Sequence, residues 1–97
     1  MLTGKQRSYL KGIANQMSAE LYIGKAGVTD QIIKSIDDNL KANEMVKVQI
    51  QEGAELDPKE VANEIAPQIK AEFVQAIGRR FVLYRQAKDP AKRKIEL

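Results

Sequence analysis

The sequence predicts an α/β fold: a two-layer α/β sandwich in the order α-β-α-β-α-β-β with a four-stranded mixed sheet. Three observations carry this. Apolar residues recur at helical spacing over three stretches, near 9–17, 32–40 and 61–69. Short apolar or alternating runs separate and follow them. Each of the first three strands is reached through a helix, which favours parallel strands, while the last two are joined by a short turn and run antiparallel.

The first helix covers 3–17. Thr3 caps it, and Tyr9, Leu10, Ile13, Ala14 and Met17 form one buried stripe, with Lys5, Arg7 and Lys11 facing water. Gly4 and Gly12 each weaken it by roughly 1 kcal/mol relative to alanine, so packing must hold it. The first strand, 20–23, stops at Gly24. The second helix, 29–42, starts at the cap Thr29, with Asp30 at its positive end and Ile32, Ile33, Ile36 and Leu40 as its stripe. Asp37 and Asp38 are flanked by Lys34 and Lys41 and read as solvated surface, not a metal pair.

Residues 45–50 alternate, with Val46, Val48 and Ile50 on one side and Lys47 and Gln49 on the other, a strand with one covered face. Asp57-Pro58-Lys59-Glu60 opens the third helix with a cap, a proline at its first position and a capping-box pattern. Val61, Ala62, Ile65 and Ile69 supply its stripe, and Pro67 must kink it or end it near Ala66. Strands 72–77 and 81–85 are joined through Gly78-Arg79-Arg80 as a hairpin. Residues 1–86 make a single domain, and 87–97 read as a basic tail, frayed or loosely helical.

Composition narrows the chemistry. The 97 residues include no cysteine and no histidine. That removes disulfides, thiolate chemistry, Ser-His and Cys-His nucleophile pairs and His-ligated zinc. No cofactor and no metal site is expected, and nothing points to an enzyme. No apolar run approaches the ~20 residues of a membrane span, and the N-terminus lacks the apolar region of a signal peptide. A cytoplasmic monomer is expected, with no membrane partner and no small-molecule substrate.

Charge is unevenly placed. Residues 1–29 carry four basic side chains against one acidic, a net of +3. Residues 30–72 carry five against ten, a net of −5, and residues 73–97 carry seven against two, a net of +5. If the two basic ends meet, they form one face suited to a polyanion.

The functional signal lies at Ile23-Gly24-Lys25-Ala26-Gly27-Val28-Thr29, a strand, a Gly-x-x-Gly loop and a helix start. Two glycines let the main chain turn sharply and lie open to a visitor. Free N–H groups at the helix start and the Lys25 cation suit a phosphate. The loop is not a P-loop: Ala19 stands where that motif needs glycine, and Ala26 where it needs Ser or Thr. Five aromatics, Tyr9, Tyr22, Phe73, Phe81 and Tyr84, mostly sit in apolar patterns and read as core rather than stacking platforms. Capture of phosphate, not reading of bases, is the expected mechanism.

Three motifs, in this order, carry a family resemblance. Leu2-Thr3-Gly4-Lys5-Gln6-Arg7 leads into a helix, Ile23–Thr29 forms the loop, and Ile77-Gly78-Arg79 is followed by Val82-Leu83-Tyr84-Arg85. Over roughly residues 1–86 the chain resembles the YhbY family, bacterial stand-alone relatives of the CRM domain (chloroplast RNA splicing and ribosome maturation). Pro67 and the segment after Gln86 lie outside that pattern. The resemblance implies a fold similar to the C-terminal domain of translation initiation factor three with an added N-terminal helix, and strand order one-two-four-three. It implies non-catalytic binding of RNA, ribosomal RNA in precursors of the large subunit, and a role in ribosome assembly. Gly24, Lys25, Ala26 and Gly27 would be the clamp, widened by Lys5, Arg7, Lys11, Arg79 and Arg80. The rival readings are an adaptor that presents acidic residues such as Asp37, Asp38, Glu55, Glu60 and Glu64 to a ribosomal protein or assembly factor, and a DNA-binding protein.

Overall fold

The computed structural model describes residues 2–97. Helix α1 (Gly4–Ala14) is followed by β1 (Leu21–Ile23), α2 (Asp30–Asn43), β2 (Met45–Ile50) and α3 (Pro58–Ile65). A 3₁₀ turn, Ala66–Ile69, then leads to β3 (Glu72–Ile77) and β4 (Arg80–Tyr84). The four strands form one mixed sheet in the order β1-β2-β4-β3. β1 pairs parallel with β2, and β4 runs antiparallel to both β2 and β3. Thus β3 is parallel to β2 but does not touch it. The reason lies in β4, where Phe81, Val82, Leu83 and Tyr84 are all buried. A strand apolar on both faces belongs inside a sheet.

Helices α2 and α3 cover one face. Ile36, Leu40, Val61, Ala62 and Ile65 pack on Ile23, Val46, Val48, Ile50, Phe81 and Leu83. The opposite face has its own smaller core, where Leu2, Leu10 and Ala14 meet Met45, Val74, Val82 and Tyr84, with Ile95 against them. The sandwich therefore gains a partial third layer, α1. Full burial of Leu10 alone is worth roughly 1.5–3 kcal/mol, which offsets the two helix glycines.

Local chemistry explains the boundaries. Thr3 and Gln6 form a reciprocal capping box at α1: Gln6 N–H donates to Thr3 Oγ1 at 3.1 Å and Thr3 N–H to Gln6 Oε1 at 3.0 Å. At α3, where that motif was expected with Glu60, Asp57 instead accepts from the Lys59 amide at 3.0 Å. α3 ends at Ile65, and the proline-containing 3₁₀ turn follows. α1 ends at Ala14, three residues short of the sequence reading, and Tyr9 is not in its buried stripe. The contact line runs through Leu2, Leu10 and Ala14, and Tyr9 lies one residue's rotation, about 100°, away.

Lys47 corrects the reading of β2 as covered on one side. It is buried beneath α1, and its Nζ donates to Ala14 O and Met17 O, both at 3.0 Å. The last carbonyls of a helix lack internal partners and carry partial negative charge. Lys47 therefore closes α1 from the neighbouring strand.

The tail is fastened rather than frayed. Glu44 is 1% exposed and sits in the left-handed region at φ 65°, at the α2–β2 junction. Its Oε2 accepts from Ala87 N–H at 2.7 Å, and its Oε1 from Lys94 at 2.5 Å and Ile95 at 2.9 Å. Burial opposes ionisation of Glu44, but these amides of Ala87, Ile95 and Lys94, with Arg93 nearby, outweigh it and hold the carboxyl below its ordinary value. Asp37 is likewise lowered, chiefly by Arg85 Nη1 donating at 2.6 Å, although burial opposes it and Lys41 helps. Asp37 is thus a tether for β4's end as well as a helix-surface residue.

Glu44→Gln keeps one acceptor but sets an NH₂ group against a tail amide. It should lower stability by about 1–3 kcal/mol in denaturant unfolding and speed tryptic cleavage after Lys92, Arg93 or Lys94; wild-type cleavage rates would contradict the fastening. Both native carboxyl values lie below the ordinary 3.8 of Asp37 and 4.5 of Glu44. Their contribution is full above those values and is lost as pH falls below them through the native ones. Stability of Glu44→Gln should therefore fall less steeply than wild type below pH 4.5. Lys47→Met fills the same space without donors, and calorimetry should show a loss of about 1–3 kcal/mol.

Candidate nucleic-acid interface

Gly24, Lys25, Ala26 and Gly27 form a four-residue turn at the end of β1, closed by Gly27 N–H donating to Gly24 O at 3.0 Å. Only Gly27 is demanded by the backbone; a Cβ at Gly24 meets the movable end of one side chain. Gly27 has φ +75°, where a side chain strains the backbone. A Cβ on Gly24 would stand 2.9 Å from Gln51 Oε1, in the loop between β2 and α3. Lys25 and Ala26 between them are exposed. Their backbone N–H groups have no hydrogen-bond partner among the described residues.

The helix behind the turn is better satisfied than the sequence suggests. Thr29 Oγ1 accepts from Ile32 N–H at 3.2 Å, and Asp30 occupies the first turn of α2. The positive end of α2 is thus partly answered within the chain. The open donors belong to the turn itself.

Strand direction brings other candidate residues to the same place. The ends of β1 and β2 and the start of β4 share one end of the sheet. There Ile50 N–H donates to Arg79 O at 2.7 Å, and Gln51 N–H donates to Ile23 O at 2.8 Å. The Gly78-Arg79 turn lies two strand spacings from the glycine turn, roughly 10 Å. Arg79 and Arg80 are exposed there, and Arg80 Nε donates to Gln49 Oε1 at 3.0 Å. Gly24, Lys25, Ala26, Gly27, Arg79 and Arg80 therefore gather at one end.

The remaining basic residues do not all join them. The first turn of α1 lies at the opposite end, where Leu2 and Gln6 line a cleft with Glu72, Tyr84 and Arg85, and Lys5 belongs to that end. Arg7 is half-buried, with its Nε unpartnered, rather than fully in water. Lys11 is exposed one turn before Asn15, whose Oδ1 accepts from Gln75 in mid-sheet, so it lies nearer the glycine end. Lys88, Lys92, Arg93 and Lys94 follow the tail around Glu44, at the start of β2. The length of β2, roughly 20 Å, separates them from the glycine turn. This exceeds two Debye lengths at physiological salt, so the expected single basic face is two patches.

Two tyrosines assigned to the core lie on the surface, Tyr9 at 53% and Tyr22 at 51% exposure. For Tyr22 the signal was in the strand: if Leu21 and Ile23 face the core, period-2 alternation turns Tyr22 outward. The acidic residues of the adaptor reading are in part engaged, Asp37 by Arg85 and Lys41 and Asp38 by Lys34. Among the described residues no helix is long and apolar enough to cross a membrane.

Comparison with known proteins agrees with this architecture. The sequence profile of the CRS1 / YhbY (CRM) domain matches residues 2–85. The chain is 37% identical over 89 residues to the Probable RNA-binding protein YqeI of Bacillus subtilis, covering 92% of this chain and 93% of that one. It is 34% identical over 89 residues to a Haemophilus influenzae protein named RNA-binding protein, covering 91% and 89%. The solution structure of the hypothetical protein SAV1595 from Staphylococcus aureus superposes with a TM-score of 0.80 at 36% identity, over 99% of this chain and 100% of that one. With its three motifs carried on this sheet and these turns, the chain belongs to the CRS1 / YhbY (CRM) domain family.

Proposed function

We propose that this chain binds RNA without catalysis, holding a backbone phosphate at the Gly24–Gly27 turn. One observation carries the reading: two unpartnered amides, on the exposed Lys25 and Ala26, lie at the sheet end that also bears Arg79 and Arg80. Open backbone donors, with cations at the same end of the sheet, suit a phosphate backbone. The names of the relatives, RNA-binding proteins in Bacillus subtilis and Haemophilus influenzae, support RNA as the polyanion. The family resemblance extends the proposal to ribosomal RNA in precursors of the large subunit, bound by a cytoplasmic monomer during ribosome assembly. In this reading Lys11, Arg79 and Arg80 extend the contact, while Lys5 and Arg7 contribute less than the sequence suggests.

Lys25→Ala should weaken binding to precursor ribosomal RNA roughly fivefold, the scale of one exposed ionic contact near 1 kcal/mol. It should also lower the slope of log K against log salt by about one. Gly24→Asp, which adds a carboxylate and displaces Gln51, should weaken binding further while circular dichroism stays unchanged. Wild-type affinity in either variant contradicts the clamp. Capture of partners from lysate with and without nuclease addresses the adaptor reading: partners that survive nuclease contradict direct RNA binding as the main activity.

A further inference from the structure

α1 covers only part of the sheet face opposite α2 and α3. It ends at Ala14, over Lys47. The next row of side chains toward the glycine turn has no helix above it. The register puts Tyr22 of β1 beside Gln49 of β2, Gln49 beside Arg80 of β4, and Arg80 beside Ile77 of β3. Directly paired residues point to the same face. The row thus crosses the whole sheet, about 14 Å at ~4.8 Å per strand.

Its chemistry is mixed in a particular way. Tyr22 is 51% and Ile77 63% exposed, and no hydrogen bond engages the Tyr22 hydroxyl among the described residues. Arg80 is tied to Gln49 through Nε only, so its Nη groups are free among the described residues. An isolated exposed apolar residue would need no explanation. Here an aromatic face, an amide, a guanidinium and an aliphatic chain stand side by side. Tyr22 is two residues from Gly24. One end of the row therefore lies close to the turn proposed to hold a phosphate.

We infer that this row is a nucleobase-binding surface. A base of single-stranded RNA stacks on the Tyr22 ring while its neighbouring phosphate sits at the Gly24–Gly27 turn, and Gln49 and Arg80 meet base edges or the next phosphate. Every base has a π-face, so the stacking is tolerant of sequence. The bases of an A-form duplex are stacked on one another and offer no such face. The surface thus selects unpaired RNA. The inference rests on the clamp reading for the position of the backbone, and adds base stacking to the expected phosphate capture.

The test uses the full chain and a single-stranded RNA of about a dozen nucleotides, within the site sizes common for such binders. The same RNA without bases and the same RNA as a duplex serve as comparisons. The chain has no tryptophan, so its ultraviolet emission comes from tyrosine, and a base stacked on Tyr22 quenches it. Tyr22→Ala should bind the single strand about tenfold more weakly, with the salt slope unchanged. It should bind the base-free chain and the duplex as wild type does. Tyr22→Phe should keep the affinity and lose most of the quenching. Tyr22→Ala within about twofold of wild type, with Lys25→Ala still weakened, overturns the stacking surface and leaves the clamp. Loss in Tyr22→Ala with none in Lys25→Ala keeps the stacking and removes the clamp. Wild-type affinity in both removes both, and quenching that persists in Tyr22→Phe also overturns the stacking.

Discussion

Two backbone hydrogen bonds at the end of β2 hold the candidate site together. Ile50 N–H on Arg79 O fixes the arginine turn, and Gln51 N–H on Ile23 O fixes the approach to the glycine turn. They form only because β1 runs parallel to β2 while β4 runs antiparallel to it. A two-residue turn with Gly78 at φ 61° lets β4 reverse beside β3 and enter the middle of the sheet. Topology thus brings Lys25 and Arg79, more than fifty residues apart in the chain, within roughly two strand spacings.

Away from that end the sheet is governed by charges that are buried or half-buried. Glu44 gathers the tail amides, Arg85 reaches Asp37 and Ile69 O, and Lys47 closes α1. A buried charge must have partners, and these charges find mainly backbone groups. The effect is to anchor α1 and the tail on a sheet face that α2 and α3 do not cover. The same arrangement keeps the cations of the tail away from the glycine turn.

Much of this was legible in the sequence. Thr29 and Asp57 marked helix starts, Pro67 marked an end, and the alternation at 46–50 marked the core face of β2. The Gly-x-x-Gly turn and the hairpin at Gly78 stand where the pattern placed them. What was not legible depends on contacts distant in sequence. Lys47 looked like a solvent-facing strand residue because nothing nearby reveals α1 above it. Glu44 looked like one acid among ten because its partners lie more than forty residues on. The two basic ends looked like one face because charge counts contain no direction. Tyr22 reads as core because three apolar residues in a row resemble a strand buried on both faces, whereas α1 ends before it covers that row of the sheet.

The central claim is that RNA meets the glycine end of the sheet and not the tail end. Amide chemical shifts of the ¹⁵N-labelled chain during titration with single-stranded RNA test it most directly. The account predicts the largest changes at Lys25, Ala26 and Arg79, with Lys88, Lys92 and Lys94 nearly still. Changes concentrated in the tail, with Lys25 and Ala26 unmoved, would contradict it.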